Sequence, residues 1–341
     1  MPRRTALAAV ALTAAAGLLA GCGGGSSAGG STNTADSSSQ SGQAELVNSV
    51  QALTAASTLT GTMHLEGSGH DVLAFLKARD PSVHLTATEA AVISRLTASF
   101  EVAAPNGEKL SQLTGISDGG SANIAVADGS KKLVTIRAVK GTLYLQADLK
   151  DVLNDLGRAS TFRTLSASSS QLPSFLAALV KGEWVSLPIA EVKQLSHGSS
   201  TASAAPGASH AFLAAIEGLL TKDVTVVRTG SGITDRLALT ANLRSLAGDV
   251  ASTFATLVPG AASLDVSHLP DKAVTLDATI THGSLSTLRF DLGQIVTTAD
   301  VTLPLDLSLT PTGGKIAAPA GATAADASTL ASLLGAFGGA A

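Results

Sequence analysis

The chain has 341 residues, 22 basic and 26 acidic side chains, and a net charge of −4. That mildly acidic balance argues against nucleic acid as a partner and against charge-driven adhesion to anionic headgroups. A 45% hydrophobic share is ample for a packed core, and with only 3% aromatic residues that core must be built from Ala, Leu and Val.

Arg3 and Arg4 precede a run from Thr5 to Ala20 that carries no charge. The run is too short for a comfortable membrane span and fits the apolar region of a signal peptide. It ends at Leu19-Ala20-Gly21-Cys22, which matches the bacterial lipobox, where a cysteine takes a diacylglyceryl group and the peptide before it is cut away. Residues 1–21 are therefore expected to be a lipoprotein signal peptide and Cys22 the lipid-attachment site. Cys22 is also the sole cysteine, which leaves no intrachain disulfide, thiol nucleophile or Cys-based metal site. Two or more acyl chains, such as palmitate, on one residue anchor a protein stably. The expected location is the cell membrane, lipid-anchored on the extracytoplasmic face. Without residues 1–21 two arginines are lost, and the net charge becomes about −6.

Residues 22–43 are Gly, Ser, Ala, Thr and Asn with Asp36 as the one charge. Such a segment is a flexible spacer, reaching on the order of 25 Å. Residues 44–311 then read as one α+β domain. Leu46, Val47, Val50 and Leu53 recur at helical spacing over Ala44 to Ser57, and Thr58 to Glu66 switches to period two. The 70–91 region is mixed, with a short helix over Val72 to Ala78, and Arg95 to Val102 alternates again.

Hairpins follow. Asp128-Gly129, Lys140-Gly141 and His282-Gly283 each separate two alternating runs, and glycine supplies the positive φ that tight antiparallel turns need. Asp300 to Thr310 alternates most clearly, but Pro304 cannot donate to a ladder and predicts an edge strand or a bulge. Leu143 to Lys150 resembles Leu237 to Arg244: in both a strand ends at Asp or Asn and a helix follows. Trp184 to Ile189 is a looser third copy, with Pro188 suited to a first helical turn. These echoes predict an internal duplication, 44–195 and 208–311. Residues 312–341 form a Gly/Ala-rich tail with a helical stripe of Leu330, Leu333, Leu334 and Phe337.

Catalytic patterns are weak. Gly115-Ile116-Ser117-Asp118-Gly119 fits G-x-S-x-G but sits in a loop between strands, not at a strand-to-helix elbow. The seven histidines show neither H-x-H nor H-E-x-x-H spacing, so no metal site is expected. Asp148, Asp151 and Asp155 read as helix-start acids rather than a catalytic pair. Trp184 and Tyr144, the sole Trp and Tyr, read as core packing or as an opening to a pocket. No enzyme and no cofactor are expected.

The lipobox, the polar linker, the helix-then-strand opening, Lys140-Gly141-Thr142-Leu143-Tyr144-Leu145, Gly182-Glu183-Trp184-Val185-Ser186-Leu187-Pro188 and Lys315-Ile316-Ala317-Ala318-Pro319 together resemble actinobacterial lipoproteins of the LppX/LprG type. That resemblance implies a bent antiparallel half-barrel, like that of the periplasmic lipoprotein carriers, with helices on its concave side. It also implies acylated lipid bound in an apolar cavity and moved toward the outer envelope. The family has no catalytic residues to carry over, and Cys22 alone transfers as a defined site. Two functions follow for the residues themselves: a lipid carrier with an unfilled apolar cavity, or a structural or interaction lipoprotein with a filled core and an exposed apolar patch. The candidate lining is Leu143, Leu145, Leu237, Leu239, Leu276, Ile280, Leu303, Leu305 and Leu307, all in the strand phase that faces the helices. About eight to eleven strands are expected.

Overall fold

The computed structural model describes residues 42–113, 119–191, 224–230, 233–245, 269–296 and 301–325. Helix α1 (Gly42–Thr54) leads into strand β1 (Thr58–Leu65), where the apolar period changes from helical to alternating. Helices α2 (Gly69–Arg79) and α3 (Ala87–Arg95) come next. Each starts with a capping box, Ser68 with Asp71 and Thr86 with Glu89, which satisfies amides that a helix start leaves orphaned. The short helix expected at 72–78 is thus longer, and α3 joins it.

Strands β2 (Leu96–Ala103), β3 (Ser121–Asp128), β4 (Lys131–Val139) and β5 (Thr142–Ala147) form an antiparallel meander. Lys140 and Gly141 turn with φ of 48° and 75°, and His282 and Gly283 with 52° and 74°. Positive φ at both central residues matches the right-handed twist of the flanking strands. The third turn lies one residue later than the sequence predicts. Asp128 pairs with Lys131, so Gly129-Ser130, not Asp128-Gly129, makes the connection.

Helices α4 (Leu149–Asp155), α5 (Ala159–Ala167) and α6 (Ser174–Val180) precede β6 (Val185–Pro188). The remaining strands are β7 (Val224–Arg228), β8 (Thr234–Asn242), β9 (Ala273–Thr281), β10 (Ser284–Asp291), β11 (Pro304–Thr310) and the two-residue β12 (Thr323–Ala324). All twelve belong to one open, half-barrel-like α+β sheet in the order β12-β6-β5-β4-β3-β2-β1-β11-β10-β9-β8-β7. Among the described strands only β12 joins in parallel, onto β6. The strand count exceeds the expected range by that short strand.

Pro304 does not mark an edge. β11 lies at the centre of the sheet, between β1 and β10, and Pro304 is its first residue, where a missing N–H costs the ladder nothing. Its carbonyl still accepts from the Glu66 amide at 2.7 Å.

Strand register sorts the side chains. One row across the sheet reads Leu309, Gly61, Phe100, Ile124, Ile136, Leu145, Val185, and the next in phase reads Leu307, Met63, Ala98, Val126, Val134, Ala147. The alternate row reads Ser308, Thr62, Ser99, Ala125, Thr135, Gln146. One face is apolar and the other polar. Gly61 is needed because a Cβ there would collide with the Phe100 ring lying across it.

The helices pack on the apolar face. Leu46 and Leu53 of α1 are buried with Leu59, Val102, Leu237, Leu239 and Ile280. Val72, Phe75 and Ala90 of α2 and α3 are buried with Val296 and Leu303, beside Leu65. Phe175 and Ala178 of α6 close over Val185. Across the polar face runs the closing segment, where Ile316 packs on Ala103, Val139 and Tyr144. The Arg137 guanidinium donates to the Ala317 carbonyl at 2.7 Å and sits 5.1 Å from the Trp184 ring centre. Tyr144 and Trp184 therefore hold down this segment and do not face the helices.

Both strand-to-helix echoes are real at the level of hydrogen bonds. Asp148 accepts from the Asp151 amide at 3.0 Å, and Asn242 from the Ser245 amide at 3.1 Å. In the third, Pro188 ends β6 and the helical turn opens one residue later. Residues 208–220, which open the second half of the expected duplication, lie outside the described residues, as do Cys22, Ser117 and the 330–337 stripe.

Candidate functional site

The apolar face divides into ends buried under helices and a half-buried middle. Met63, Ala98, Val126, Val134, Ile136, Leu143, Leu145, Phe290, Leu305 and Leu307 are all half-buried. None of these ten belongs to the packed clusters under the helices. Register makes them neighbours: Phe290 pairs with Leu305, Leu307 with Met63, Met63 with Ala98, Ala98 with Val126 and Val126 with Val134. The result is an apolar floor in which none of the ten side chains is charged; charged residues in the same phase, such as Asp128, Arg228 and Asp235, lie beyond it.

The sequence-derived lining set splits across this boundary. Leu143, Leu145, Leu305 and Leu307 lie on the floor. Leu237, Leu239 and Ile280 are buried under α1, with Leu276 packed against that cluster, and Leu303 is buried under α2 and α3. Strand phase gives all nine the same face, and the helices decide which are covered.

At the α1 end the floor gives way to a buried charge group. Glu45 is 8% exposed and Asp235 5%. Arg228 of β7 lies between them, with Nη2 2.8 Å from Asp235 Oδ1 and Nε 3.5 Å from Glu45 Oε2. One guanidinium serves two carboxylates. Burial, and then hydrogen bonding to Asp235, pushes the Glu45 carboxyl up to about 7.

The polar face carries a hollow of about 460 Å³ over β1, β11, β10, β9 and β8, lined by His64, Arg236, Asp277, Arg289, Asp306 and hydroxyl side chains. At its rim His64 and Asp306, which line it, and the neighbouring Glu66 bring one ligand-type atom each to within 4.8 Å of one another. Arg289 Nη2 lies 2.6 Å from Glu66 Oε2, and its Nε 3.8 Å from Asp306 Oδ1. Asp306 is held above its ordinary range, first by burial and then by hydrogen bonding to Glu66. Glu66 is held below its own range, chiefly by that same bond. The sequence search missed this group because it looked for spacings between histidines. The two-residue step His64-Leu65-Glu66 on one strand was visible, whereas Asp306 is brought in by the β1–β11 pairing. Among the described residues no helix is long and apolar enough to cross a membrane.

No family model and no curated protein matches the chain. Solved structures give two likenesses. Lipoprotein LppX of Mycobacterium tuberculosis aligns at 12% identity over 79% of this chain and 93% of its own, with a TM-score of 0.33. LprF of Mycobacterium bovis aligns at 10% identity over 82% of this chain and 97% of its own, with a TM-score of 0.35. Scores this low leave fold and function resting on this chain's own register and packing. In structure the chain is similar to LppX and LprF.

Proposed function

We propose that the mature chain is a lipid-anchored protein of the extracytoplasmic membrane face that holds acyl chains of a lipid against the half-buried apolar floor. The supporting observation is the floor itself: ten neighbouring aliphatic or aromatic side chains in half-buried positions, on the face where the helices pack. A contiguous apolar surface of that kind marks a binding surface in a soluble domain. None of the ten side chains is polar, so the floor selects for apolar length rather than for a headgroup. The lipobox and the linker, by sequence, would keep it within reach of membrane lipid.

The test is native mass spectrometry of residues 23–341, which retain all of α1, purified from the native host. Bound lipid is the expected result. Leu307→Trp, set between Leu288 and Met63 in the register, should then reduce it by competing for volume. Exposed Val227 and Ile233, at 52% and 71%, favour a second reading, an interaction lipoprotein docking at the β7–β8 edge. A ligand-free mass in wild type would sink the carrier and leave that one.

A further inference from the structure

We propose that His64, Glu66 and Asp306 form a binding site for a divalent transition-metal cation, with Zn²⁺ as the best match, and that Arg289 is its built-in competitor. The ligand atoms lie within 4.8 Å of one another. Around Zn²⁺, with N and O ligands at roughly 2.0–2.2 Å, they would stand about 3.3 Å apart. Closing that gap calls for the three side chains to turn toward one point. The backbone is well fixed: His64 and Asp306 are direct partners in the β1–β11 ladder, and Glu66 is tied through its amide to Pro304. Both strands are central in the sheet, the kind of rigid element that holds a site in shape.

The donor set has one imidazole and two carboxylates. It neutralises a dication and leaves the fourth tetrahedral position open toward the hollow, where water can complete the shell. Three ligands are too few for Ca²⁺, which takes six to eight oxygens, and an imidazole suits Zn²⁺ better than Mg²⁺.

Without a metal the two carboxylates are bridged by Arg289. Arg289 has a second place to go. Its ladder partner on one side is Asp306 and on the other Asp277, and Asp277 is an exposed residue lining the same hollow. A cation entering the site would send the guanidinium across to Asp277. Arg289 and the metal are thus alternatives at one pair of carboxylates. The site is on the opposite face from the lipid floor and does not depend on it.

The full chain carrying Cys22→Ser, so that no thiol competes, would be titrated with Zn²⁺ by calorimetry and against a chromophoric chelator. One strong site per chain is expected, with Ca²⁺ and Mg²⁺ at least tenfold weaker. His64→Ala and Asp306→Ala should each weaken Zn²⁺ by tenfold or more, in the range seen when a metal's supporting residues are lost. Glu66→Gln, at an exposed position, guards against misfolding and should do the same. Arg289→Ala should tighten Zn²⁺ several-fold, an effect that nonspecific surface binding would not show. The His64 ring resonances should shift on addition of metal. Uptake unchanged in both His64→Ala and Asp306→Ala, or absent in wild type at millimolar Zn²⁺, would overturn the site. Unaltered affinity in Arg289→Ala would overturn the competition.

Discussion

Two stretches of the same sheet face have opposite fates. Under α1, Leu237 and Ile280 are 1% and 2% exposed. A few strands away Met63, Val126 and Leu307 remain half-buried. The strand pattern is the same in both, so alternation does not decide between core and floor. Cover does. Helix α1 has 13 residues, about 20 Å of length. A sheet of twelve strands is about 50 Å wide. One such helix covers roughly four strands, and the rest of the face must be covered by something else or left open.

The largest effect should come from breaking the covered side. Leu46 is 2% exposed and packs within the α1 cluster. Leu46→Ala removes buried methyl groups and leaves a cavity, at a cost of about 2–5 kcal/mol. Urea unfolding followed by far-UV circular dichroism would measure it. A loss below about 1 kcal/mol would show that α1 is not what buries this end of the sheet.

A second effect concerns how α1 is held. The folded Glu45 carboxyl titrates near 7 against an ordinary 4.5. Between those values the unfolded chain has released this proton and the folded chain has kept it. The folded state therefore binds more protons, and stability falls as pH rises from about 4.5 to about 7, then levels off. The full shift corresponds to an upper bound of about 3 kcal/mol. Asp306 is also raised and adds in the same sense. Asp71 and Asp128 are lowered, through Ser68 and Arg95 respectively, so they act at more acid pH. Glu45→Gln isolates the contribution: it should flatten most of the slope and make the variant more stable than wild type at pH 8. A variant no more stable at pH 8 would mean that Arg228 fully compensates both carboxylates.

Much of the fold was legible because local chemistry dictates it. The Lys140-Gly141 and His282-Gly283 turns could be placed from two residues each, since few other sequences tolerate paired positive φ. The capping boxes at Ser68 and Thr86 were equally local and could have located α2 and α3. What the sequence could not supply was long-range. Pro304 looked like an edge residue until β1 and β10 were seen to flank it. Asp306 joins His64, and Arg228 joins Glu45, only through pairings made across most of the chain. The lining set shows the same limit, because phase gave Leu237 and Leu307 one face while only packing distinguishes them.

The smallest effect is expected on the floor itself, and it tests the comparison most directly. Leu307 sits between Leu288 and Met63 in the register and is half-buried. Truncating it removes only part of a transfer contribution, since the side chain is half-buried rather than fully buried. Leu307 also stands outside the buried clusters under the helices, so its truncation leaves less of an enclosed cavity, and the cavity contribution is what makes core truncations costly. Leu307→Ala in lipid-free protein should therefore cost no more than about 1 kcal/mol, well below Leu46→Ala. Bound acyl chains would change that by supplying the missing cover. In lipid-loaded protein the same substitution should cost more, because the truncated side chain then leaves a gap against the ligand. Paired urea titrations of delipidated and loaded samples measure both values. Equal costs in the two states would mean that lipid does not touch Leu307. A core-sized cost in the delipidated protein would mean that the floor is already covered and that the two regions do not differ.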